Sequence, residues 1–209
     1  MSKCAILGAG GHGKVVAEIA ELNGYKEICF FDDRWPELST LEDWKVVGDF
    51  ESLLGTCLDF EAVFVAIGHN KTRVKKQVML SEKGASLPVL VHPKATLSKY
   101  SQIGEGTVVM AGAIINPYSS LGPSCIINTS ATIDHDCVLE RGVHISPGAN
   151  LAGGVFVGTG SWVGISACVK QYVSIGCNTI VAAGAVVINN VLDEQIVVGV
   201  PAQPLIDKD

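Results

Sequence analysis

Aliphatic residues recur at every sixth position through the second part of the chain, from Val91 to Val187, without one insertion. The residue four places after each of them is never larger than valine, from Ala95 to Val191. An α-helix repeats every ~3.6 residues and a half-buried strand every ~2, so a strict period of six predicts a β-solenoid, in which each hexad is one short strand and a bend. The large and the small columns would alternate to fill its narrow interior.

The first 90 residues follow a different pattern, in which short apolar runs alternate with segments of helical periodicity. We predict strands at 3–7, 28–31 and 60–67, helices at 14–22 and 71–83, and a last strand at 87–91 that leads into the solenoid. This alternation is typical of a small Rossmann-like unit, a doubly wound α/β fold with a parallel sheet. The sequence thus predicts two domains, residues 1–88 and residues 89–209.

The distribution of charge follows the same division. Charged residues make up 17% of the chain, against roughly 25% in an ordinary soluble domain. Residues 1–90 carry 23 charges and residues 91–192 only 8, so the deficit belongs to the solenoid. A net charge of −6 is unsuited to binding nucleic acid or an anionic membrane, and we expect small molecules or further copies of the chain as partners.

The cysteines and a long uncharged run bear on the cellular compartment. The seven cysteines are odd in number and lack CxxC pairs, which indicates reduced thiols and a cytoplasmic protein. No basic region precedes the first apolar stretch, so a signal peptide is not expected. The uncharged run 142–169 is long enough for a bilayer span of ~20 residues, but its six-residue period and polar content favour the solenoid, and no membrane insertion is expected.

A glycine-rich turn follows the first predicted strand. Residues 8–13, GAGGHG, fit the pattern G-x-G-x-x-G, and two acids end the second strand. Glycines let the backbone approach a pyrophosphate closely, and the following helix supplies N–H donors and the positive end of its dipole. About 85 residues provide only one mononucleotide-binding half, which favours a nucleotide sugar over NAD. We expect the substrate-binding residues to be Gly11, His12, Gly13, Asp32, Asp33 and Gly68.

Each of these residues also has a plainer interpretation. The glycine turn could be tight without binding a ligand, His12 could be a solvated residue at the start of the helix, and Asp32 and Asp33 could form an ordinary turn. An NAD-linked oxidoreductase would use the same glycine pattern, but no hydride-transfer site accompanies it in the sequence.

Ionisable side chains are rare in the solenoid, and their densest group is Asp134-His135-Asp136. A carboxylate beside a histidine raises its basicity and fixes its tautomer, which suits a general base near neutral pH. The alternative is a solvated corner with three polar residues. Cys168 has no neighbouring base in its hexad, and we expect Cys125 and Cys137, which belong to the small-residue column, to face the interior.

Several stretches resemble one enzyme family. They are the turn GAGGHG, the segments FFDD and AIGHN, the solenoid segment INTSATIDHDCVLERGVHISPGANLAGGVFVG and the C-terminal VVGVPAQPL. Together they resemble the nucleotide-amino-sugar N-acetyltransferases of the bacillosamine type and the related sialic-acid O-acetyltransferases, which are hexapeptide-repeat acyltransferases. The resemblance covers essentially the whole chain, and it implies a left-handed parallel β-helix with three hexads in each coil.

The resemblance also implies catalytic roles. His135 would be the general base and Asp136 its support. The bacillosamine enzymes usually have glutamate at the latter position, so the reach of the shorter Asp136 is open and Asp134 could substitute for it. No metal is expected, because the carbonic anhydrases of this fold need three zinc-binding histidines and the sequence holds no His-x4-His pair.

Acetyl-CoA, the cofactor that the resemblance implies, would contact four positions. His144 would lie at its thioester, Gly153 would offer a backbone amide, and Ile165 and Ala183 would fall at its pantetheine and nucleotide ends. With 18 residues to a coil, Gly153 stacks one coil beyond His135, whereas His144 lies half a coil away on another face. A single site that uses both histidines needs a second subunit, and we therefore expect a homotrimer.

The expected function is N-acetylation of a UDP-linked amino sugar in bacterial surface glycan synthesis. The acetyl group would pass directly from acetyl-CoA to the amine within a ternary complex, with His135 as the base. An alternative of the same class is O-acetylation of sialic acid or a related free sugar. An alternative of another class is a non-catalytic, nucleotide-binding scaffold trimer.

Overall fold

The computed structural model describes residues 2–205, which form two compact units. The first unit ends at Pro93 and the second begins at Lys94. This boundary lies a few residues after the division between residues 88 and 89 that the sequence predicts for the two functions, and that functional division stays a prediction.

The first unit is an α/β fold built on one sheet. Its strands are β1 (Lys3–Leu7), β2 (Glu27–Phe31), β3 (Thr40–Leu41), β4 (Trp44–Gly48), β5 (Ala62–Val65) and, outside this sheet, β6 (Leu90–Val91). Its helices are α1 (Gly11–Leu22), α2 (Phe50–Thr56) and α3 (Asn70–Glu82), with one 3-10 turn at Cys57–Asp59. The sheet order is β3-β4-β2-β1-β5, with β3 antiparallel to β4 and the other neighbours parallel. The predicted α/β unit is confirmed.

Helices cover both faces of this sheet. Leu53 of α2 and Leu80 of α3 are fully buried in one core with Ala5 and Val63. On the other face α1 packs so closely that a Cβ at Gly13 would lie 3.0 Å from the ring of Phe30. The continuous apolar runs of β1 and β5 follow from this arrangement, because a strand covered on both faces has no polar side.

The carboxyl ends of three strands meet at one edge of the sheet. β1 lies between β2 and β5, and Leu7 pairs with Phe31 on one side and with Val65 on the other. The chain crosses from β1 to β2 and later returns to the opposite side of β1, so the strand order reverses at this point. Open α/β sheets bind ligands outside the carboxyl ends at such a switch point. The glycine turn, the two acids and Gly68 all follow these strand ends.

The sequence pattern does not predict β3, β4 and α2, and it begins α1 three residues late, at Lys14. α2 is seven residues long and depends on a local cap, in which the carboxylate of Asp49 accepts the N–H of Ser52 at 2.8 Å. β3 and β4 form a hairpin too short to show an alternation of apolar and polar residues. The glycines at the start of α1 hide its first turn, because glycine has a low helix propensity.

The second unit is a parallel β-helix whose short strands form three sheets. The first sheet holds β7 (Thr96–Leu97), β10 (Ile114–Ile115), β13 (Thr132–Ile133), β16 (Asn150–Leu151), β19 (Cys168–Val169) and β22 (Val186–Val187). The second holds β8 (Gln102–Ile103), β11 (Ser120–Leu121), β14 (Val138–Leu139), β17 (Phe156–Val157) and β20 (Ser174–Ile175). The third holds β9 (Val108–Val109), β12 (Ile126–Ile127), β15 (His144–Ile145), β18 (Trp162–Val163), β21 (Ile180–Val181), β23 (Ile196–Val198) and the antiparallel β24 (Gln203–Pro204).

Successive coils of the β-helix are in register. Ile115 pairs with Ile133, 18 residues later, so three hexads make one coil as predicted. The aliphatic column is buried from Val109 to Val187, and the small column is buried from Thr107 onward. The six-residue period of the sequence therefore corresponds to the spacing of the side chains that pack inside the β-helix.

Polar members of the small column form hydrogen bonds inside the β-helix. The hydroxyl of Ser119 donates to the carbonyl of Asp134 at 2.6 Å and accepts the N–H of Cys137 at 3.2 Å. The thiol of Cys137 lies 3.3 Å from the carbonyl of Ala152. Cys125 and Cys137 are fully buried, as predicted. This ladder tethers the corners of neighbouring coils to one another.

One corner of the β-helix carries large side chains in a left-handed backbone conformation. Tyr118, Asp136, Gly154 and Tyr172, each one coil apart, have φ values of 63°, 58°, 68° and 61°. Glycine adopts this region without strain and aspartate tolerates it, whereas it is disfavoured for tyrosine. Tyr118 and Tyr172 therefore occupy positions whose backbone conformation is unfavourable for tyrosine.

Candidate active site

The Asp134-His135-Asp136 segment forms the corner between the first and second sheets. β13 ends at Ile133 and β14 begins at Val138, so the three side chains lie on a turn outside the apolar interior. The side chains of His135 and Asp136 are 52% and 62% exposed. Both can therefore meet a ligand from solvent.

The imidazole of His135 lies on the backbone of Gly153 in the next coil. A Cβ at Gly153 would be 2.5 Å from Cε1 and 2.6 Å from Nε2, so only glycine leaves room for the ring. The N–H of Gly154 donates to the carbonyl of His135 at 2.9 Å and keeps the two coils aligned. Within residues 2–205 the N–H of Gly153 has no hydrogen-bond partner. The stacking that the 18-residue spacing predicts is present.

Asp136 supports the imidazole from the same corner. Its Oδ2 lies 2.7 Å from Nδ1 of His135, so the aspartate side chain is long enough to reach the ring. This hydrogen bond, together with the charge of Asp134, raises the pKa of His135 above its usual value. Because Nδ1–H donates to the carboxylate, Nε2 is the nitrogen that can accept a proton.

Asp134 contacts the backbone of the corner and not the ring. Its Oδ1 accepts the N–H of His135 at 2.8 Å and the side-chain amide of Asn116 at 2.9 Å. The hydrogen bond from Asn116 holds the pKa of Asp134 below its usual value. In this geometry Asp136 supports the imidazole, and Asp134 fixes the turn on which both stand.

An open depression of about 440 Å³, with both apolar and polar lining residues, adjoins this corner on the first sheet. Asn116 and Asp134 line it together with Thr132, Asn150 and Cys168. Thr132 Oγ1 donates to Asn150 Oδ1 at 2.7 Å, so this pair is hydrogen-bonded separately from the pair of Asn116 and Asp134.

His144 lies on β15 in the third sheet, away from the corner of His135. Its ring stacks on Trp162, with centroids 5.4 Å apart and planes inclined by 3°. Its Nε2 lies 3.2 Å from the side-chain amide of Asn128, and Trp162 Nε1 donates to Ser146 Oγ at 2.5 Å. The two histidines occupy different faces of one chain, as predicted.

Ile165 and Ala183 lie at the corner that follows the third sheet. They are one coil apart, and the N–H of Gly184 donates to the carbonyl of Ile165 at 2.8 Å. Both are exposed. A single chain therefore presents the predicted coenzyme contacts at three separate places around the coil.

In the first unit the glycine turn leads directly into α1. Gly8 has a φ of 108°, and a Cβ there would lie 2.7 Å from the carbonyl of Ala66. A Cβ at Gly13 would lie 2.3 Å from the carbonyl of Gly8, so both outer glycines are required by close packing. A Cβ at Gly10 or Gly11 would meet no atom within 4 Å, and no side chain caps the helix. The first N–H groups of α1 are thus left for a ligand or solvent.

His12 lies in the first turn of α1, and its Nε2 is buried without a hydrogen-bond partner among the described residues. Burial and the nearby guanidinium of Arg73 lower the pKa of His12 to about 4, so the ring is neutral near neutral pH. Arg73 is buried as well, and its Nη1 donates to the carbonyls of Ile67 and Gly68 at 3.0 Å. A buried cation therefore orders the loop of Gly68 at the switch point.

Asp32 and Asp33 differ in what they contact. Asp32 Oδ2 accepts the N–H of Ala9 at 2.7 Å, and Arg34 Nε donates to Oδ1 at 2.7 Å. The hydrogen bonds from Arg34 contribute most to lowering the pKa of Asp32 to about 2. Asp32 thus fastens the glycine turn to the end of β2. Asp33 accepts the N–H of Phe50 at 3.2 Å and lies 3.7 Å from Nζ of Lys76, and its side chain is 71% exposed to solvent.

Metal-binding clusters and membrane-spanning helices are both absent from the described residues. No group of three or more His, Cys, Asp or Glu side chains in residues 2–205 is placed to hold a metal ion. In the same part of the chain, no helix combines the length and the apolar character that crossing a bilayer requires.

Solved acetyltransferase structures share this fold over nearly the whole chain. The chain is 42% identical to the acetyltransferase domain of PglB from Neisseria gonorrhoeae FA1090, with a TM-score of 0.93 over 98% of this chain and 100% of that one. It is 38% identical to PerB from Caulobacter crescentus in complex with CoA and GDP-perosamine, with a TM-score of 0.93 over 98% of both chains.

The chain belongs to the nucleotide-amino-sugar N-acetyltransferases, as its 38% identity to perosamine N-acetyltransferase from Caulobacter crescentus over 99% of this chain shows. The first unit of this N-acetyltransferase family member matches the family described as the PglD N-terminal domain over residues 3–80. The UDP-N-acetylbacillosamine N-acetyltransferase of Bacillus subtilis (strain 168) is 36% identical over 117 residues, which are 53% of this chain and 52% of that protein. The chain thus aligns with about half the length of that curated relative.

Three further residues contact the predicted site residues of this N-acetyltransferase, although the sequence pattern does not single them out. Asn116 holds Asp134 and lies one coil before it, and Trp162 stacks on His144 one coil after it. The 18-residue repeat is the signal that could have found both. Arg73 has no comparable signal, because its contacts depend on how α3 packs.

Proposed function

We propose that the protein is an acetyl-CoA-dependent N-acetyltransferase that acts on the amine of a UDP-linked amino sugar in bacterial surface glycan synthesis. The proposal is carried by the imidazole of His135, which is bonded to Asp136 at Nδ1 and lies with Nε2 on the backbone of Gly153. Attack of an amine on a thioester is accelerated by a base that accepts the amine's proton and by a donor that stabilises the oxyanion. PerB, solved with CoA and GDP-perosamine, supports a nucleotide amino sugar as the acceptor. The seven free cysteines support a cytoplasmic location.

In the proposed reaction the neutral amine of the sugar attacks the carbonyl carbon of the acetyl thioester. The C–N bond forms while Nε2 of His135 accepts a proton from the nitrogen, and the N–H of Gly153 donates to the developing oxyanion. The tetrahedral intermediate then collapses by cleavage of the C–S bond, and the imidazolium returns the proton to the leaving CoA thiolate. Asp136 holds Nδ1–H throughout and stabilises the imidazolium.

Acetyl-CoA would bind between two chains. Gly153, His144 and the pair Ile165 and Ala183 lie at three places around the coil, so one molecule of the coenzyme reaches them all only at a contact of neighbouring subunits. We therefore propose a homotrimer in which His135 of one chain and His144 of the next face the same thioester. Exposed apolar side chains along the solenoid support such a contact.

The nucleotide of the acceptor would bind the first unit. The N–H groups of residues 11–13 and the dipole of α1 suit its pyrophosphate. The buried cation of Arg73, held near His12 and Gly68, adds positive charge at this place. The exposed carboxylate of Asp33 is available to the ribose or the base.

An assay of acetyl-CoA consumption by the full chain tests this proposal. The acceptors would be several UDP-amino sugars, GDP-perosamine and free sialic acid. We expect turnover with a UDP-amino sugar, and a rise in unfolding temperature when UDP is added. Turnover of sialic acid without stabilisation by UDP would instead assign O-acetylation of a free sugar.

The variant His135→Ala separates catalysis from a scaffold role. We expect it to keep the trimer and the affinity for CoA while it loses acetyl transfer. A wild-type trimer that binds UDP but consumes no acetyl-CoA with any acceptor would favour the non-catalytic scaffold.

A further inference from the structure

Two consecutive glycines separate the rings of His135 and Tyr172 at one corner of the β-helix. The outer turn positions of four successive coils there are Pro117-Tyr118, His135-Asp136, Gly153-Gly154 and Gln171-Tyr172. The imidazole covers Gly153 from the preceding coil. The ring of Tyr172 covers Gly154 from the following coil, where a Cβ would be 2.6 Å from Cδ1 and 2.7 Å from Cε1. Two rings from different coils thus converge on one glycine pair.

Tyr172 exposes its ring in a backbone conformation that tyrosine seldom adopts, and unlike Tyr118, which stacks on Tyr100, it lies beside the glycine pair of the His135 corner. Its φ is 61°, in the region that is disfavoured for bulky residues, and 75% of the residue is exposed. Glycine, serine and asparagine occupy most of the other left-handed turn positions of the β-helix. An exposed aromatic ring in a strained conformation, close to a catalytic base, indicates a functional contact.

The two rings border one exposed corner of the β-helix. Coils of a parallel β-helix are spaced like the strands of a sheet, so the backbones of Asp136 and Tyr172, two coils apart, are about 10 Å from each other. The imidazole and the carboxylate of Asp136 lie on one side of the glycine pair, and the exposed phenol ring of Tyr172 lies on the other. Together these side chains present polar groups and an apolar ring to a ligand that approaches from solvent.

A pyranose ring suits such a corner, because its C–H groups form an apolar face and its amine and hydroxyls form a polar rim. Resting on the proposed function, we propose that Tyr172 is a sugar-contacting residue, whose ring packs on the pyranose of the acceptor while the sugar's amine faces Nε2 of His135. The contact would serve the sugar and not the nucleotide or the coenzyme.

Kinetics of Tyr172→Ala and Tyr172→Phe test this assignment, with a UDP-amino sugar that the wild type acetylates. Loss of the ring should raise KM for the sugar nucleotide about tenfold. The KM for acetyl-CoA and the inhibition constant of UDP alone should not change. Tyr172→Phe keeps the ring and should behave as the wild type. Tyr100→Ala is the matched control. Tyr100 occupies the same turn position four coils before Tyr172 and is also exposed, but its ring stacks on that of Tyr118, with centroids 5.5 Å apart.

Three results would overturn the assignment, and each is distinct. An unchanged KM for the sugar nucleotide in Tyr172→Ala, with an active wild type, refutes the assignment and leaves the proposed function standing. Loss of the trimer in Tyr172→Ala, measured by light scattering, assigns the ring to a subunit contact. Absence of acetyl transfer by the wild type to any amino sugar refutes the proposed function and this inference together.

Discussion

The imidazole of His135 lies on the backbone of Gly153, with Nε2 2.6 Å from the place that a Cβ would occupy. The two residues are 18 positions apart in the chain and one coil apart in the β-helix. The contact brings the proposed base and the proposed oxyanion donor together. Gly153 therefore has two proposed roles. Its backbone N–H donates to the oxyanion, and its lack of a side chain leaves space for the imidazole of His135.

The variant Gly153→Ala should retain its fold and lose activity. The backbone of Gly153 does not need a positive φ, so the added methyl group acts through the displaced imidazole. A base moved by about 1 Å lowers kcat by about 100-fold. Gly55→Ala, where a Cβ meets nothing within 4 Å, is the control for kcat and unfolding temperature. Full activity in Gly153→Ala would show that the ring need not lie there.

The variant Asp136→Asn should move the pH profile of kcat/KM. The base acts in its neutral form, and the carboxylate raises the pKa of His135, so the wild-type rate rises with pH at a higher pH than for an isolated histidine. Removing the charge should shift this acidic limb to lower pH and reduce the plateau. Any stability from the pair is present below the histidine's unfolded pKa and is lost as pH rises through the raised pKa. Because both side chains are exposed, the unfolding temperature should hardly change, and an unmoved acidic limb would contradict the role of Asp136.

Asn116 should affect catalysis without touching the substrate's amine. In Asn116→Ala the carboxylate of Asp134 loses its side-chain donor and holds the corner of His135 less firmly. We expect kcat to fall by up to about tenfold, with an unchanged KM for acetyl-CoA. Asn150→Ala is matched, because Asn150 lines the same depression but bonds to Thr132 and Gly148. Equal losses in the two variants would count against a specific role for Asn116.

Asp32 and Asp33 should separate stability from nucleotide binding. Asp32→Asn weakens the bonds to Ala9 and Arg34 and should lower the free energy of unfolding by about 1–2 kcal/mol. The folded pKa of Asp32 is about 2, below its unfolded value, so this stability is present above about pH 4 and is lost as pH falls towards 2. Asp33→Asn keeps an oxygen that can accept the N–H of Phe50 and loses only an exposed ion pair with Lys76, so it should lower the free energy of unfolding by less than Asp32→Asn does and weaken UDP binding in calorimetry. A larger loss of stability in Asp33→Asn than in Asp32→Asn would reverse the assignment.

A shared site between chains can be tested by mixing two inactive variants. His135→Ala and His144→Ala chains, unfolded and refolded together, form mixed trimers in which some sites combine an intact His135 with an intact His144 from the next chain. Acetyl transfer should reappear in the mixture and stay low in each variant refolded alone. No recovery in mixed trimers isolated by tandem tags would place both histidines of a site on one chain.

The solenoid could be predicted from the sequence because its packing has one short period. Each coil repeats the same two inward positions, so burial of Ile133 or Ala149 needs no knowledge of distant contacts. The same repeat predicts that His135 meets Gly153 and that His144 lies elsewhere. It does not predict how Asp134 and Asp136 divide their tasks, because that depends on the left-handed turn at Asp136 and on the direction of each carboxylate.

The first unit was less accessible to sequence reasoning. Apolar runs and the glycine pattern predict β1, β2, β5 and the turn into α1, whereas β3, β4 and α2 are short and depend on local caps and tertiary contacts. The hydrogen bond from Ala9 to Asp32 arises only when β1 and β2 become neighbours, and Arg73 is buried because the loop that precedes α3 folds back to give it carbonyl partners. The sequence gives no sign that Asp32, in the loop after β2, forms hydrogen bonds with the glycine turn and with Arg34.

The measurement that tests the central claim most directly is single-turnover transfer of a labelled acetyl group from acetyl-CoA to a UDP-amino sugar. It compares wild-type trimer with His135→Ala trimer of equal CoA affinity. The proposed mechanism predicts an N-acetylated sugar nucleotide from the wild type and a rate at least ~100-fold lower from the variant, since general-base catalysis contributes about 100-fold or more. An equal rate in the variant, or a label that never reaches the sugar nitrogen, would contradict it.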